Sequence, residues 1–546
     1  MASTTATREL DAVVVGAGFA GLYMTYRLRD QLGLNVQSYE AGEDVGGTWF
    51  WNRYPGARCD SESYIYCFSF DKQLMQDWEW SGKYPEQPEI LSYLNHVADR
   101  FDLRRSFKFG TRVVAAHFDE TTNRWEIETD RGDKVTTQFF ITGIGCLSAG
   151  QVPKIPGLHT FTGPWYHTGA WPHTGVDFTG KRVGVIGTGS SGVQSIPVIA
   201  KQAEHLYVFQ RTPQYTIPAR HHTVDKAVLD EIKKDYDAIY DKARWSRGGM
   251  PIDPIERSAL AVSDEERQAI YEEAWQEGGF RFVFGSFYDI VVDRRANDTA
   301  SEFIRSKIRD IVKDPDVADK LVPVDHPFTS KRALIDTNYF DTYNRDNVTL
   351  VDIRHAPIVQ ITPTGIRTED GQHYELDIIV FATGFDAMTG SFNRIDIQGR
   401  GGKKLRDKWA GGPLTYLGVS TAGFPNFFMI TGPGSPSVLS NMPVSIEQHV
   451  EWISGAIEQL REQGLDLMEA EENAENEWVA HVNEIAEQTM FMLADSWYLG
   501  ANIPGKPRVF MPYPGGVGTY RQKCNEVAEA GYSGFVLEKS EAVFTG

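Results

Sequence analysis

The chain has 546 residues, 41% of them apolar and 12% aromatic, with a formal net charge of −20. That length favours more than one domain, and the apolar content supports substantial cores. The acid excess excludes the basic footprint that nucleic acid binding needs, and it argues equally against an anionic membrane surface. The four cysteines, Cys59, Cys67, Cys146 and Cys524, form no Cys-x-x-Cys pair, so neither a dithiol redox centre nor a zinc site is expected. The stretch Met1 to Leu10 is polar and lacks a signal-peptide core. No run approaches the roughly 20 apolar residues of a membrane span. A soluble cytoplasmic protein with reduced thiols is expected.

In chain order, Asp11 to Val15 reads as a short apolar strand, Phe19 to Gln31 as a helix and Asn35 to Glu40 as a returning strand. Phe139 to Gly143 is a third strand-like segment, and the Pro/Gly-rich stretch Pro153 to Pro172 reads as a linker. A second unit follows: strand Arg182 to Ile186, helix Gly189 to Lys201 and strand Leu206 to Gln210. Residues 225–320 are charged and helical in period, with breaks at Gly248–Pro254 and Gly278–Gly279. Ser263-Asp264-Glu265-Glu266 has the form of a capping box. Strand signals return at Val348 to Ile353 and at Asp377 to Phe381. Phe424 to Ile430 is an apolar strand ending in a small-residue turn. Residues 451–490 carry eleven carboxylates against one arginine, which reads as a solvated helical face.

Two glycine-rich turns stand at the strand-to-helix junctions, Gly16-Ala17-Gly18-Phe19-Ala20-Gly21 and Gly187-Thr188-Gly189-Ser190-Ser191-Gly192. In such a turn the glycines let the backbone approach a pyrophosphate, which rests on the helix N-terminus. Nineteen residues past the last glycine stands Glu40 in the first unit and Arg211 in the second. A carboxylate there accepts hydrogen bonds from a free ribose, whereas a guanidinium suits a 2′-phosphate. One chain is therefore expected to hold two dinucleotides, FAD and NADPH. The expected fold is α/β, with two Rossmann-like dinucleotide-binding domains and a helical insertion. The FAD domain spans 1–150 and 385–546, the NADP domain 151–220 and 330–384, and the insertion 221–329.

Two longer motifs carry a family resemblance. Phe161-x-Gly163-x-x-x-His167-x-x-x-Trp171-Pro172 matches the fingerprint of type I Baeyer–Villiger monooxygenases, as does Gly46-Gly47-x-Trp49-x-x-x-x-Tyr54-Pro55-Gly56-x-x-x-Asp60. The resemblance runs from Asp11 to about Phe535 and is strongest to the phenylacetone, cyclohexanone and steroid monooxygenases. Gly432 to Asn441 and Trp497 to Lys506 look most like the phenylacetone enzyme. The resemblance implies insertion of one oxygen of O₂ beside a ketone carbonyl, through a peroxide at flavin C4a, to give an ester or lactone. Sulfoxidation is expected as a side activity.

The same resemblance assigns roles. Gly16, Gly18, Gly21, Glu40, Gly47, Thr48, Trp49, Asp60, Tyr66, Val113 and Met442 are expected around FAD. Gly187, Thr188, Gly189, Ser190, Ser191, Gly192, Gln194, Arg211, Thr212 and Lys331 are expected around NADP. Arg332 is the expected catalytic arginine, with Asp60 holding it through a charge-assisted fork. Trp497 is expected on a loop that closes over the nicotinamide cofactor. His167 is expected to be a conformational element on the linker, and His221, His222 and His449 to be structural. Three rivals share the two turns. A flavin monooxygenase acting on sulfides or amines is disfavoured by the complete Trp49–Asp60 fingerprint. A dithiol reductase lacks its cysteine pair, and a redox sensor would not need Arg332. The oligomeric state has no signal in the sequence.

Overall fold

The computed structural model describes residues 8–539; residues 1–7 of the polar N-terminus lie outside them. Strand Arg8–Val15 is buried continuously from Ala12 to Val15. Such a run belongs to a parallel strand covered on both faces, not to an alternating one. It lies between the parallel strands Val36–Tyr39 and Lys134–Thr142. The sheet continues antiparallel through Arg124–Thr129 and Val113–Asp119, and the latter pairs in parallel with Asp396–Gln398. Strand Phe427–Met429 pairs in parallel with Lys134–Thr142. This terminal unit therefore takes strands from both ends of the chain.

The middle of the chain builds a second sheet, in the order Val348–Asp352, His205–Gln210, Arg182–Ile186, Ile378–Phe381 and Trp165–His167, all parallel. The two chain crossings between the units run side by side. Gln151 N–H donates to the Gly384 carbonyl at 3.0 Å, and Asp386 N–H to the Ala149 carbonyl at 2.8 Å. His167 staples this junction. Its Nδ1 accepts from Gly169 N–H at 3.0 Å, so Nε2 carries the proton and donates to the Gly384 carbonyl at 3.1 Å. Burial lowers its pKa and favours that neutral form.

Several sequence expectations change here. The stretch Pro153–Pro172 is more than a linker, because Trp165–His167 forms a parallel edge strand beside Ile378–Phe381. Three residues carry too little periodicity to reveal a strand whose pairing is wholly long-range. The helix after the first turn is α-helical over Phe19–Tyr26 and widens to π over Arg27–Gln31. Ser263 Oγ accepts from Glu266 N–H at 3.2 Å, but the Glu266 carboxylate turns to Arg257 at 2.8 Å, so half the capping box forms.

The helical block 221–329 has no core of its own. Tyr236 and Tyr240 pack into the terminal unit, whereas Phe282, Phe303 and Phe328 pack into the middle one. In the acidic run, Glu475 is only 1% exposed. It pairs with Lys408 at 2.7 Å and accepts from Thr421 Oγ1 at 2.7 Å and Ala422 N–H at 2.9 Å. A charge that deep requires such partners, so this face is solvated only in part. Among the described residues no helix is long and apolar enough to cross a membrane.

Candidate active site

Both glycine turns form close-packed cradles. Gly16 has φ +106°, and a side chain there would overlap the Gly143 carbonyl oxygen; one at Gly21 would overlap the Gly16 carbonyl oxygen. The second turn repeats this, with Gly187 against the Ala382 carbonyl and Gly192 against the Gly187 carbonyl. The helices that follow start at Gly18 and Gly189, and neither has a side-chain cap. The first-turn amides of a helix have no partner within it. An anion can take them, and a Cβ at Gly189 would meet nothing within 4 Å. Two uncapped helix starts behind glycine turns fit two dinucleotide pyrophosphates.

The charged residues stand where the strands end. Glu40 follows Val36–Tyr39 and is 6% exposed. Its two carboxylate oxygens accept from Ala17 N–H at 2.7 Å and Gly42 N–H at 2.6 Å. Burial raises its pKa, and these amides oppose that rise. Each oxygen keeps a further lone pair, so stitching the turn leaves capacity for ribose hydroxyls. Arg211 follows His205–Gln210, is exposed, and makes no ion pair among the described residues. Lys331 is its neighbour: burial lowers the Lys331 pKa, and the Arg211 charge adds to that lowering. The two cations together suit a phosphate monoester. Thr188 Oγ1 donates to the Thr212 carbonyl at 3.1 Å, and Ser191 Oγ meets Thr168 Oγ1 at 3.1 Å. Ser190 opens the helix and is exposed.

Around the first cradle, Gly47 brings its backbone against Gly18, and Thr48 begins the short helix Thr48–Trp51. Trp49 Nε1 donates to the Tyr66 hydroxyl at 3.2 Å, with the rings edge-on at 5.9 Å. Val113 is buried at the start of its strand, two residues after Thr111, whose N–H donates to the Glu40 carbonyl at 2.9 Å. Met442 starts helix Met442–Glu462 and packs between two of the hydrophobic clusters.

Asp60 and Arg332, 272 residues apart, meet at 2.6 Å between Asp60 Oδ2 and Arg332 Nη2. The expected fork is not formed: the other arm, Nη1, donates to the Val438 carbonyl at 2.7 Å. The guanidinium also lies 5.5 Å from the Phe280 ring centroid. Burial opposes its charge, but Asp60 and then Tyr498 outweigh burial and hold its pKa above the ordinary arginine value. Arg332 is therefore a permanent cation, about a quarter exposed. A cleft beside the pair is lined by Asp60, Met250, Ile252, Phe280 and Arg281.

The segment carrying Trp497 is docked over this region. Lys331 Nζ donates to the Asp495 carbonyl, Asn502 Nδ2 to the Phe385 carbonyl at 2.8 Å, and Lys506 pairs with Asp386 at 2.6 Å. Trp497 packs against Tyr498 with ring centroids 4.3 Å apart and the planes tilted by 54°. Sequence reasoning missed Tyr498, which is 2% exposed and interacts with Arg332; its place directly after Trp497 was the available signal. Gln194 sits apart from the other cradle residues, because its carboxamide faces the terminal unit.

Comparison with known proteins agrees with this geometry. The family description "Flavin-binding monooxygenase-like" matches residues 10–223. A Baeyer–Villiger monooxygenase of Pseudooceanicola batsensis is 49% identical over 97% of each chain. A phenazine N-monooxygenase of Lysobacter antibioticus is 46% identical, also over 97% of each chain. A solved structure of oxidized steroid monooxygenase bound to NADP superposes with a TM-score of 0.93 at 53% identity, covering 97% of this chain and 100% of that one. Likeness at this level, end to end, extends well beyond a shared nucleotide fold, and the chain belongs to the type I Baeyer–Villiger monooxygenase family.

Proposed function

We propose that the protein is an FAD- and NADPH-dependent monooxygenase that converts a small ketone to an ester or lactone. The balanced reaction is ketone + O₂ + NADPH + H⁺ → ester + NADP⁺ + H₂O. The observation that carries this reading is the Arg332–Asp60 contact, which joins the two units beside a partly apolar cleft. The solved relative's bound NADP supports the cofactor assignment. In this reading residues 1–150 and 385–546 bind FAD, 151–220 and 330–384 bind NADPH, and the enzyme works in the cytoplasm, a setting that suits four buried free thiols.

Bound FAD supplies hydride acceptance from NADPH and activation of O₂. The remaining work falls to the protein. Glu40 holds the adenosine ribose of FAD, and Arg211 with Lys331 holds the 2′-phosphate of NADPH. Arg332 stabilises the negative charge that develops on the ketone oxygen when its carbonyl carbon is attacked. A preorganised donor at such an oxygen contributes about 3 kcal/mol. Asp60, the Val438 carbonyl and the Phe280 ring fix that cation before the reaction, so little reorganisation accompanies it. Trp497 and Tyr498 keep water away from the reacting atoms.

Product analysis under ¹⁸O₂ tests the reading, with NADPH and a panel of linear, cyclic and aryl ketones. Ester or lactone carrying one labelled oxygen is expected. NADPH oxidation yielding only H₂O₂ across the panel would refute it. The relative named for phenazine N-oxygenation favours one second reading, oxygen transfer to an aromatic nitrogen. N-heteroaromatics and sulfides therefore belong in the same panel.

A further inference from the structure

Gln194 lies in the second turn of helix Ser190–Ile199, directly behind the second glycine cradle. Its carboxamide points across to the terminal unit. Oε1 accepts from the Tyr54 hydroxyl at 2.8 Å and from Arg58 N–H at 3.4 Å. Nε2 donates to the Arg58 carbonyl at 3.1 Å. The amide oxygen and one of the two Nε2 hydrogens are thereby spent on the terminal unit, and one N–H remains. The same side chain satisfies both backbone groups of Arg58, as a neighbouring strand would.

The contact is close as well as polar. Gly56 has φ +81°, and a side chain there would overlap the Gln194 carbonyl oxygen and crowd Val198. The turn Tyr54–Arg58 thus rests directly on the helix. Two residues after Arg58 comes Asp60, which grips Arg332. Arg332 itself follows Lys331, the neighbour of Arg211. The helix that receives the dinucleotide therefore touches the loop that positions the reactive cation. It does so through one side chain and one glycine contact.

We propose that Gln194 is a positioning residue that couples the seating of the dinucleotide on helix Ser190–Ile199 to the placement of Asp60. It acts through Tyr54 and Arg58. The proposal rests on the monooxygenase reading, since its readout is oxygen transfer.

The test is a double-mutant cycle between Gln194→Ala and Asp60→Ala in the FAD-loaded enzyme. Flavin reduction, ester formed and H₂O₂ released are measured separately. Gln194→Ala is expected to lower the oxygenation rate by roughly tenfold, within the range for a small misplacement of a reacting group. H₂O₂ per NADPH should rise, while the KM for NADPH stays within about twofold, well under the tenfold that 1.4 kcal/mol represents. In the Asp60→Ala background the same change should cost little more. Tyr54→Phe removes one hydroxyl and keeps the ring, so it should shift coupling the same way if Gln194→Ala fails to fold. A large rise in the KM for NADPH with unchanged coupling would overturn the proposal, as would full multiplication of the two effects on oxygenation. Wild-type enzyme run beside the variants separates this outcome from failure of the functional reading, because that failure would leave the wild type without ester.

Discussion

Replacing Asp60 by alanine isolates what holds the active-site cation. The carboxylate lies 2.6 Å from Arg332, with both side chains about a quarter exposed. Exposed ion pairs contribute about 0.2–1 kcal/mol, whereas breaking a fully buried pair costs about 3–5 kcal/mol. A quarter-exposed pair falls between these limits, near about 2 kcal/mol. Arg332 would keep the Val438 carbonyl at 2.7 Å and the Phe280 ring at 5.5 Å, so it stays charged and partly anchored. The loss is therefore one of placement. At about 1.4 kcal/mol per tenfold, the oxygenation rate should fall roughly thirtyfold. Flavin content and the rate of flavin reduction by NADPH should change little. Stopped-flow absorbance reads reduction, and product quantification reads oxygenation. Asp60→Asn keeps an acceptor oxygen near Arg332 and should lose less. Unchanged ester yield per NADPH in Asp60→Ala would refute the role assigned to the pair.

Arg211→Ala should raise the KM for NADPH by about ten- to a hundredfold, the scale of one or two charge-assisted bonds, and leave NADH use nearly unchanged. An equal effect on both cofactors would make Arg211 structural. Trp497→Ala removes the ring packed 4.3 Å from that of Tyr498 and should release more H₂O₂ per NADPH; an unchanged ratio counts against exclusion of water by this loop. Glu447 gives a pH test. Burial, with Glu451 adding to it, raises its pKa from 4.5 to about 7, while the Ser69 bonds and Arg244 oppose the rise. Tyr23 and Arg521 also feel its charge. The folded state then keeps a proton that the unfolded chain releases, so stability falls as pH rises from about 4.5 to 7. Glu447→Gln should flatten that slope, whose full height is on the order of 3 kcal/mol. Denaturant unfolding at pH 5 and pH 8 measures it; an unaltered difference between the two would refute the assignment.

The cradles were legible because each is local. A strand, a glycine turn and a helix lie within one stretch of sequence, and the ribose-side charge follows at a fixed offset. The Asp60–Arg332 pair became legible only through family resemblance, because its members are 272 residues apart. The bridge from Gln194 to Tyr54 and Arg58 was hidden for the same reason, and the family resemblance placed Gln194 around NADP without it. Trp165–His167 could not be read as a strand, since its partner Ile378–Phe381 lies some two hundred residues on. Glu475 looked like one more acid on a wet face. Only its partner Lys408, from another part of the chain, reveals a buried charge pair.

The interleaving of the two units also has a consequence for biosynthesis. Thr142 Oγ1 donates to the Phe428 carbonyl across 286 residues of sequence, at the seam where Phe427–Met429 joins the first sheet. At about 5–20 residues per second, a ribosome needs roughly 15 to 60 s to travel that distance. Throughout that interval the Phe140–Thr142 end of one edge, beyond the part that Arg124–Thr129 covers, lacks its parallel neighbour, and apolar residues such as Phe139 and Ile141 lack part of their covering. The middle sheet can close in the meantime, because its strands all lie between Trp165 and Phe381. The nascent chain thus carries a finished inner body and an unfinished outer one, and the open edge is where a chaperone, or a second nascent chain, would engage it first.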